Sequence, residues 1–146
     1  VSKKILIIYH SQSGNTEAAA LAVAEGVNSV KNAQAILKKA SDTSPEDFIS
    51  CAAVCFGSPD YFGYMAGMLK DFFDRTYYPT RRKVNDKPCG IFVTHGGEGR
   101  ASKSIEQTCR SFCLMQVGKT VLVRAKPDKA AYSQLHKLGI ALAESV

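Results

Sequence analysis

The sequence predicts a doubly wound α/β domain built on a parallel β-sheet. Unbroken β-prone apolar runs stand at Ile5–Tyr9, Cys51–Phe56, Cys89–Thr94 and Lys119–Val123, with a weaker one around Gln34–Leu37. Strands buried on both faces read as continuous apolar runs, whereas half-exposed strands alternate. Between the runs lie segments whose apolar residues recur at helical spacing, so each docks one face on the sheet. The 146 residues, 45% apolar and 22% charged, suit a single domain over 1–146 with no repeat or linker.

Taken in order, the first strand runs through Ser11-Gln12-Ser13-Gly14-Asn15-Thr16 into a helix carrying Ala20, Val23, Ala24 and Val27 at i, i+3, i+4, i+7. After the weak second strand, a short helix starts at Ser44-Pro45-Glu46-Asp47. Ser44 can cap it, Pro45 suits its first position, and the acids suit the positive end of its dipole. The third strand is followed by a stripe of Met65, Met68, Leu69, Phe72 and Phe73, and the fourth by Ile105, Cys109, Phe112 and Cys113. The fifth leads to Ala131, Leu135, Leu138 and Leu142. Strict alternation implies right-handed crossovers. Spacing alone does not choose the strand order, but in every such order ligands sit beyond the strands' carboxyl ends at a switch point.

Three loops there carry the chemistry. In the first, three hydroxyls, a glycine and a helix N-terminus share one turn, which suits a phosphate. The alternative is a plain helix cap by Asn15 or Thr16. The Lys-Ser/Thr ending of a nucleotide-hydrolysing loop is missing. The second loop, Gly57-Ser58-Pro59-Asp60-Tyr61-Phe62-Gly63-Tyr64, brings three aromatic rings to a strand's carboxyl end, where they can stack on a flat ring system or plug the core. The third, Thr94-His95-Gly96-Gly97-Glu98-Gly99-Arg100, describes backbone that bends sharply or lies against something flat. His95 is a candidate ligand or proton-transfer group, the alternative being a surface residue. Together the loops ask for a planar phosphorylated cofactor.

At these residues the chain resembles the flavodoxin-like superfamily over essentially its whole length. The first loop resembles the flavodoxin FMN-phosphate motif, Ser/Thr-x-Ser/Thr-Gly-x-Thr. Gly57 to Met65 and Leu69-Lys70-Asp71-Phe72-Phe73-Asp74-Arg75 are similar to NAD(P)H-dependent FMN and quinone reductases of that group. The resemblance implies a five-stranded sheet of order 2-1-3-4-5, with helices on both faces and one non-covalent FMN. It implies that Ser11, Gln12, Ser13, Gly14, Asn15 and Thr16 hold the phosphate. Ser58, Pro59, Asp60, Tyr61, Phe62, Gly63 and Tyr64 would line one side of the ring, and Thr94, His95, Gly96, Gly97 and Gly99 the other. In flavodoxins a glycine peptide beside the flavin rotates to accept a hydrogen bond from the reduced ring, and Gly63 is the matching candidate.

Two functions follow: an electron carrier, or an NAD(P)H-dependent reductase of a quinone or free flavin, with His95 the one candidate to deliver a proton. The partner is then a redox protein or a small acceptor such as a quinone. A phosphoacceptor receiver domain shares the sheet order but needs acids where Tyr9-His10-Ser11 and Phe56-Gly57-Ser58 stand. Carrier flavodoxins are strongly acidic, whereas this chain has nineteen Lys/Arg against thirteen Asp/Glu, a formal charge of +6.

That charge is dispersed and lacks interleaved aromatics, so nucleic acid is not expected as a partner. Five cysteines without C-x-x-C spacing suggest small hydrophobes rather than a metal centre. Cys51 and Cys55 should share one strand face, and Cys109 and Cys113 one helix. No run approaches a membrane span, and Ile5–Ile8 is too brief for a signal peptide, so the expected location is the cytoplasm. The loop aromatics are equally suited to a homo-oligomer interface.

Overall fold

The computed structural model describes residues 1–146. β1 (Lys3–Tyr9) leads through α1 (Asn15–Asn28) to β2 (Ala33–Lys39), then through a 3-10 turn over Ala40–Asp42 and α2 (Pro45–Ser50) to β3 (Ala53–Tyr61). β3 doubles back as β4 (Tyr64–Met65) before α3 (Gly67–Thr80) and β5 (Pro88–His95). The chain ends with α4 (Ala101–Ser111), β6 (Met115–Gln116), β7 (Val121–Arg124) and α5 (Lys129–Glu144). The sheet order is β2-β1-β3-β5, with β6 and β7 both alongside the outer edge of β5. These neighbours are parallel, and only the β3–β4 pair is antiparallel. Counting β6 and β7 as one interrupted strand gives the expected 2-1-3-4-5 order with helices on both faces.

Burial on both faces explains the unbroken apolar runs. Ile5, Ile7 and Tyr9 of β1 pack with α1 and α5, while Leu6 and Ile8 pack with α2, α3 and α4. On the second face five phenylalanines, Phe48, Phe56, Phe72, Phe73 and Phe112, meet at centroid distances between 4.9 and 6.3 Å. Their tilted and edge-on geometries are those aromatic quadrupoles favour. On the first face α1 and α5 cross at two glycines. A Cβ on Gly26 would stand 2.0 Å from the His136 carbonyl oxygen, and one on Gly139 2.1 Å from that of Val23.

The short helix is capped as its sequence predicts. The Asp47 N–H donates to Ser44 Oγ at 3.1 Å, and the Ser44 N–H donates to Asp47 Oδ2 at 2.9 Å.

Several boundaries differ from expectation. β3 extends past Phe56 to Tyr61 because Gly57, Ser58 and Pro59 stay in register with Phe92, Val93 and Thr94 of β5. Cys51 is not in that strand but ends α2; it lies on the phenylalanine face and Cys55 on the opposite one. Met65 belongs to β4, and Met68 is exposed. α4 stops at Ser111, so Cys113 lies beyond it, exposed and at φ 59. The fifth strand is interrupted: Met115–Gln116 pairs with β5, the chain turns at Gly118 (φ 69), and pairing resumes at Val121 where the sequence placed the strand from Lys119. No helix is long and apolar enough to cross a membrane.

Candidate ligand site at the carboxyl edge

The first loop meets α1 through Gly14, which holds the N-cap position at φ 100 and offers no side chain to cap it. Such a conformation favours glycine, and a Cβ placed there would point into open space. Asn15 and Thr16 are therefore not caps but the first helical residues. The N–H groups of Asn15, Thr16 and Glu17 find no acceptor within the protein. Ser11 Oγ accepts the Gly14 N–H at 3.1 Å, and Gln12 and Ser13 are exposed beside it. Thr16 turns inward, and its hydroxyl pairs with that of Thr94 at 2.7 Å, both residues being buried. The Tyr9 hydroxyl donates to Glu17 Oε2 at 3.0 Å. Burial first, and then the neighbouring Glu17 carboxylate, hold the Tyr9 phenol above its ordinary range.

The second loop is a tight hairpin rather than an open loop. Tyr61 pairs with Tyr64, and the two residues between them, Phe62 and Gly63, have φ of 58 and 76. Positive φ at both centre positions is the pattern of a two-residue type I′ turn, which suits the twist of antiparallel strands. Phe62 is fully exposed at the tip. Asp60 secures the turn by accepting the Gly63 N–H at 2.8 Å with Oδ1. Its Oδ2 accepts the Ala101 N–H at 3.4 Å, at the start of α4. The Tyr61 hydroxyl donates to Gln12 Oε1 at 2.9 Å, and the Tyr61 ring meets His10 edge-on. Ser58 is buried, accepting the Ala66 N–H at 2.8 Å and donating to the Pro59 carbonyl at 2.7 Å.

The third loop presents Gly96 and Gly97 to open space, where added Cβ atoms would meet nothing. Gly99, at φ 71, is packed instead, its Cβ position 3.1 Å from both His95 Cδ2 and Leu122 Cδ2. His95 thus lies under the glycine loop, and its Nδ1 is buried with no hydrogen-bond partner. Glu98 and Arg100 form an exposed ion pair at 2.8 Å.

Three hydrogen bonds tie the loops together: Thr16 to Thr94, Tyr61 to Gln12, and Asp60 to Ala101. Between the hairpin and the third loop runs a cleft of ≈ 360 Å³ lined by Asp60, Phe62, Gly63, Gly96, Gly97, Glu98 and Arg100. Of the expected ring-side residues, Asp60, Phe62, Gly63, Gly96 and Gly97 line this cleft and Tyr64 and Gly99 the groove beside it, while Ser58 and Thr94 are spent on the protein itself. The cleft shares Gly63, Glu98 and Arg100 with a groove of ≈ 730 Å³ along α4, where Lys103, Ser104 and Gln107 also stand. The loop-by-loop reading of the sequence missed that groove. Its signal was the polar stripe at Arg100, Lys103, Ser104 and Gln107, opposite the apolar stripe of Ile105, Cys109 and Phe112.

These residues fit a phosphorylated planar group. Neutral donors at the uncapped α1 terminus match a phosphate, and an open glycine backbone facing an exposed aromatic matches a flat ring.

Comparison with known proteins agrees. Residues 3–127 match the family model described as NADPH-dependent FMN reductase. A flavodoxin of Aquifex aeolicus is 30% identical over 125 residues, covering 86% of this chain and 66% of that protein, just under two thirds of its length. An NAD(P)H dehydrogenase (quinone) of Solidesulfovibrio magneticus is 31% identical over 143 residues, covering 78% of this chain and 70% of that one. Among solved structures, a flavodoxin from the domain Archaea superposes with a TM-score of 0.89 at 25% identity, over 97% of both chains.

Proposed function

The chain belongs to the NADPH-dependent FMN reductase family within the flavodoxin-like fold, and from that premise we propose that it holds one non-covalent FMN across the three loops and passes electrons through it to a partner protein or a small acceptor. The free N–H groups of Asn15, Thr16 and Glu17, with the hydroxyls of Ser11 and Ser13, would hold the phosphate, the Thr16 hydroxyl being turned inward to Thr94. Gly14 lets the backbone approach closely. Tyr61, Phe62, Gly63 and Tyr64 would flank the ring on one side and His95 to Gly99 on the other. Bound there, FMN supplies the hydride- and electron-accepting chemistry, and the chain supplies orientation, shielding and local charge. The observation that carries this reading is the α1 N-terminus capped by a left-handed glycine, with three backbone donors left over.

A second reading, direct oxidation of NAD(P)H, is favoured by the α4 groove. It opens off the ring cleft and carries Arg100 and Lys103, which suit a phosphate-bearing donor. Five unpaired cysteines suit a reducing compartment, and we place the protein in the cytoplasm.

Titrating the protein with FMN should quench flavin fluorescence to a one-to-one endpoint. Ser11→Ala with Ser13→Ala should weaken that binding by at least about tenfold, the loss of one or two charge-assisted hydrogen bonds. No quenching in the wild-type chain would overturn the proposal. Anaerobic NADPH then separates the two readings, since rapid bleaching marks the reductase and persistent colour the carrier.

A further inference from the structure

A second cavity opens at the opposite, amino edge of the sheet, where α3 and α4 end and the segment 81–87 leads into β5. It measures ≈ 270 Å³. Its apolar wall is built by Tyr77 and Phe112, whose rings meet edge-on at 5.2 Å and 88°, together with buried Val84. Its polar lining is Thr80, Arg81, Arg82, Asn85 and Ser111, and no aspartate or glutamate lines it. Eight strand residues of β5, at about 3.3 Å each, separate it from the carboxyl-edge loops, so it is not part of the cofactor cradle.

Cations at a helix C-terminus ordinarily neutralise its carbonyls, and Arg81 does follow α3. Neither guanidinium does this here, however. The Tyr78 carbonyl is taken by the Arg81 backbone N–H at 3.3 Å, and the Thr80 carbonyl by that of Lys83 at 2.8 Å. Arg81, Arg82 and Asn85 make no side-chain hydrogen bond, and no ion pair involves either arginine, in contrast to Arg75 and Arg100. Two exposed arginines with unspent donors therefore rim a cavity that has an aromatic wall and no acidic side chain in its lining. The backbone is held in the left-handed region at Arg82 (φ 66) and Cys113 (φ 59), one on each side of the cavity. Such conformations persist only where the surrounding structure imposes them.

We propose that this cavity is a binding site for a small flat anion, an aromatic or heteroaromatic carboxylate, whose ring packs against the half-buried Tyr77 and whose carboxylate is taken by the Arg81 and Arg82 forks. The guanidinium fork matches a carboxylate in a bidentate way, which a lysine cluster does not. The cavity has the size of one substituted ring, at the small end of ligand pockets.

Cys113 supplies the readout. It lies on the cavity wall and is the exposed cysteine, the other four being buried. The thiols of Cys55, through burial, and of Cys109, through the Cys89 thiol beside it and then burial, are held well above their ordinary range. Dithiobis-nitrobenzoate is an anionic aryl carboxylate disulfide, and dithiodipyridine is an uncharged aromatic one. In each case the Cys113 thiolate attacks one sulfur, the reagent S–S bond breaks, one aryl thiolate leaves and the thiol's proton goes to buffer.

With the full chain, the rate for the anionic reagent should saturate with its concentration, and added benzoate should slow it. Arg81→Gln with Arg82→Gln should reduce it about tenfold, while the uncharged reagent stays within about twofold, since only the former uses the charge-assisted contacts. Lys83→Gln, off the wall, should leave both rates unchanged. A linear, unsaturated rate with no protection by benzoate in the wild-type chain would overturn the site, whatever the variants do. An equal loss for both reagents in the double variant would do the same.

Discussion

Phe62 is the residue whose conformation its own chemistry resists. A bulky side chain at φ 58, fully exposed at a hairpin tip, stands where asparagine or glycine would sit without strain. Phe62→Asn should stabilise the FMN-free protein by about 1 kcal/mol in urea denaturation, the order of the left-handed penalty, while weakening FMN binding if the ring is a contact. Gly57 shows the opposite constraint. A Cβ there would stand 2.0 Å from the Phe92 ring, so Gly57→Ala should cost about 1–3 kcal/mol by overpacking. At this scale the sequence disclosed which residue types crowd the carboxyl edge but not how they spend their hydrogen bonds. Thr16 turns inward because its partner, Thr94, lies 78 residues away, and Ser58 is satisfied by Ala66 and Pro59. No local pattern announces such pairings.

Elements meet where side chains are absent as well as where they are large. α1 and α5 approach so closely that Gly26 and Gly139 each face a carbonyl oxygen of the opposing helix. Gly26→Ala and Gly139→Ala should each lower stability by about 1–3 kcal/mol. The double variant should lose less than the sum, because one separation of the helices relieves both contacts. α2 depends on its capping box, and Ser44→Ala should cost about 1 kcal/mol. Burial alone would raise the Asp47 carboxyl. The hydrogen bond from Lys38, those from the Ser44 backbone and hydroxyl, and the Lys38 charge outweigh it and hold the group below its usual value. Since the folded value lies below the unfolded one, the stabilisation is full above the unfolded value and disappears as pH falls through the folded one. The stability gap between wild type and Asp47→Asn should therefore shrink between about pH 5 and pH 2, followed by denaturant titration at each pH. Element types were legible because apolar period and cap chemistry are local. The reach of β3 to Tyr61 and the early end of α4 were not, since a ladder partner decides the first and a left-handed residue at Cys113 the second.

Across the whole molecule, basic side chains stand at both edges of the sheet, more of them without acidic neighbours at the amino edge. Lys3, Lys4, Lys31, Arg81, Arg82, Lys83, Arg110 and Lys119 all gather toward the amino edge. At the carboxyl edge Arg100 is paired with Glu98, Asp60 and Glu17 add negative charge, and Lys39, Lys103, Arg124 and Lys126 add positive charge, so the two signs are interspersed. Electrostatic steering of a phosphorylated ligand toward that edge is accordingly weak. The FMN association rate in stopped-flow should change by less than about threefold between roughly 20 and 200 mM salt, where a strongly steered reaction would fall far more steeply. Strand number and alternation were legible at this scale because parallel burial leaves unbroken apolar runs, whereas the order needed the resemblance. One carboxylate then decides how the carboxyl edge can move. Because Asp60 grips both the hairpin turn and the first residue of α4, it acts as a rivet between the two lips of the cleft. Losing that one carboxylate would cut the tie between them and leave each lip held only by its own element.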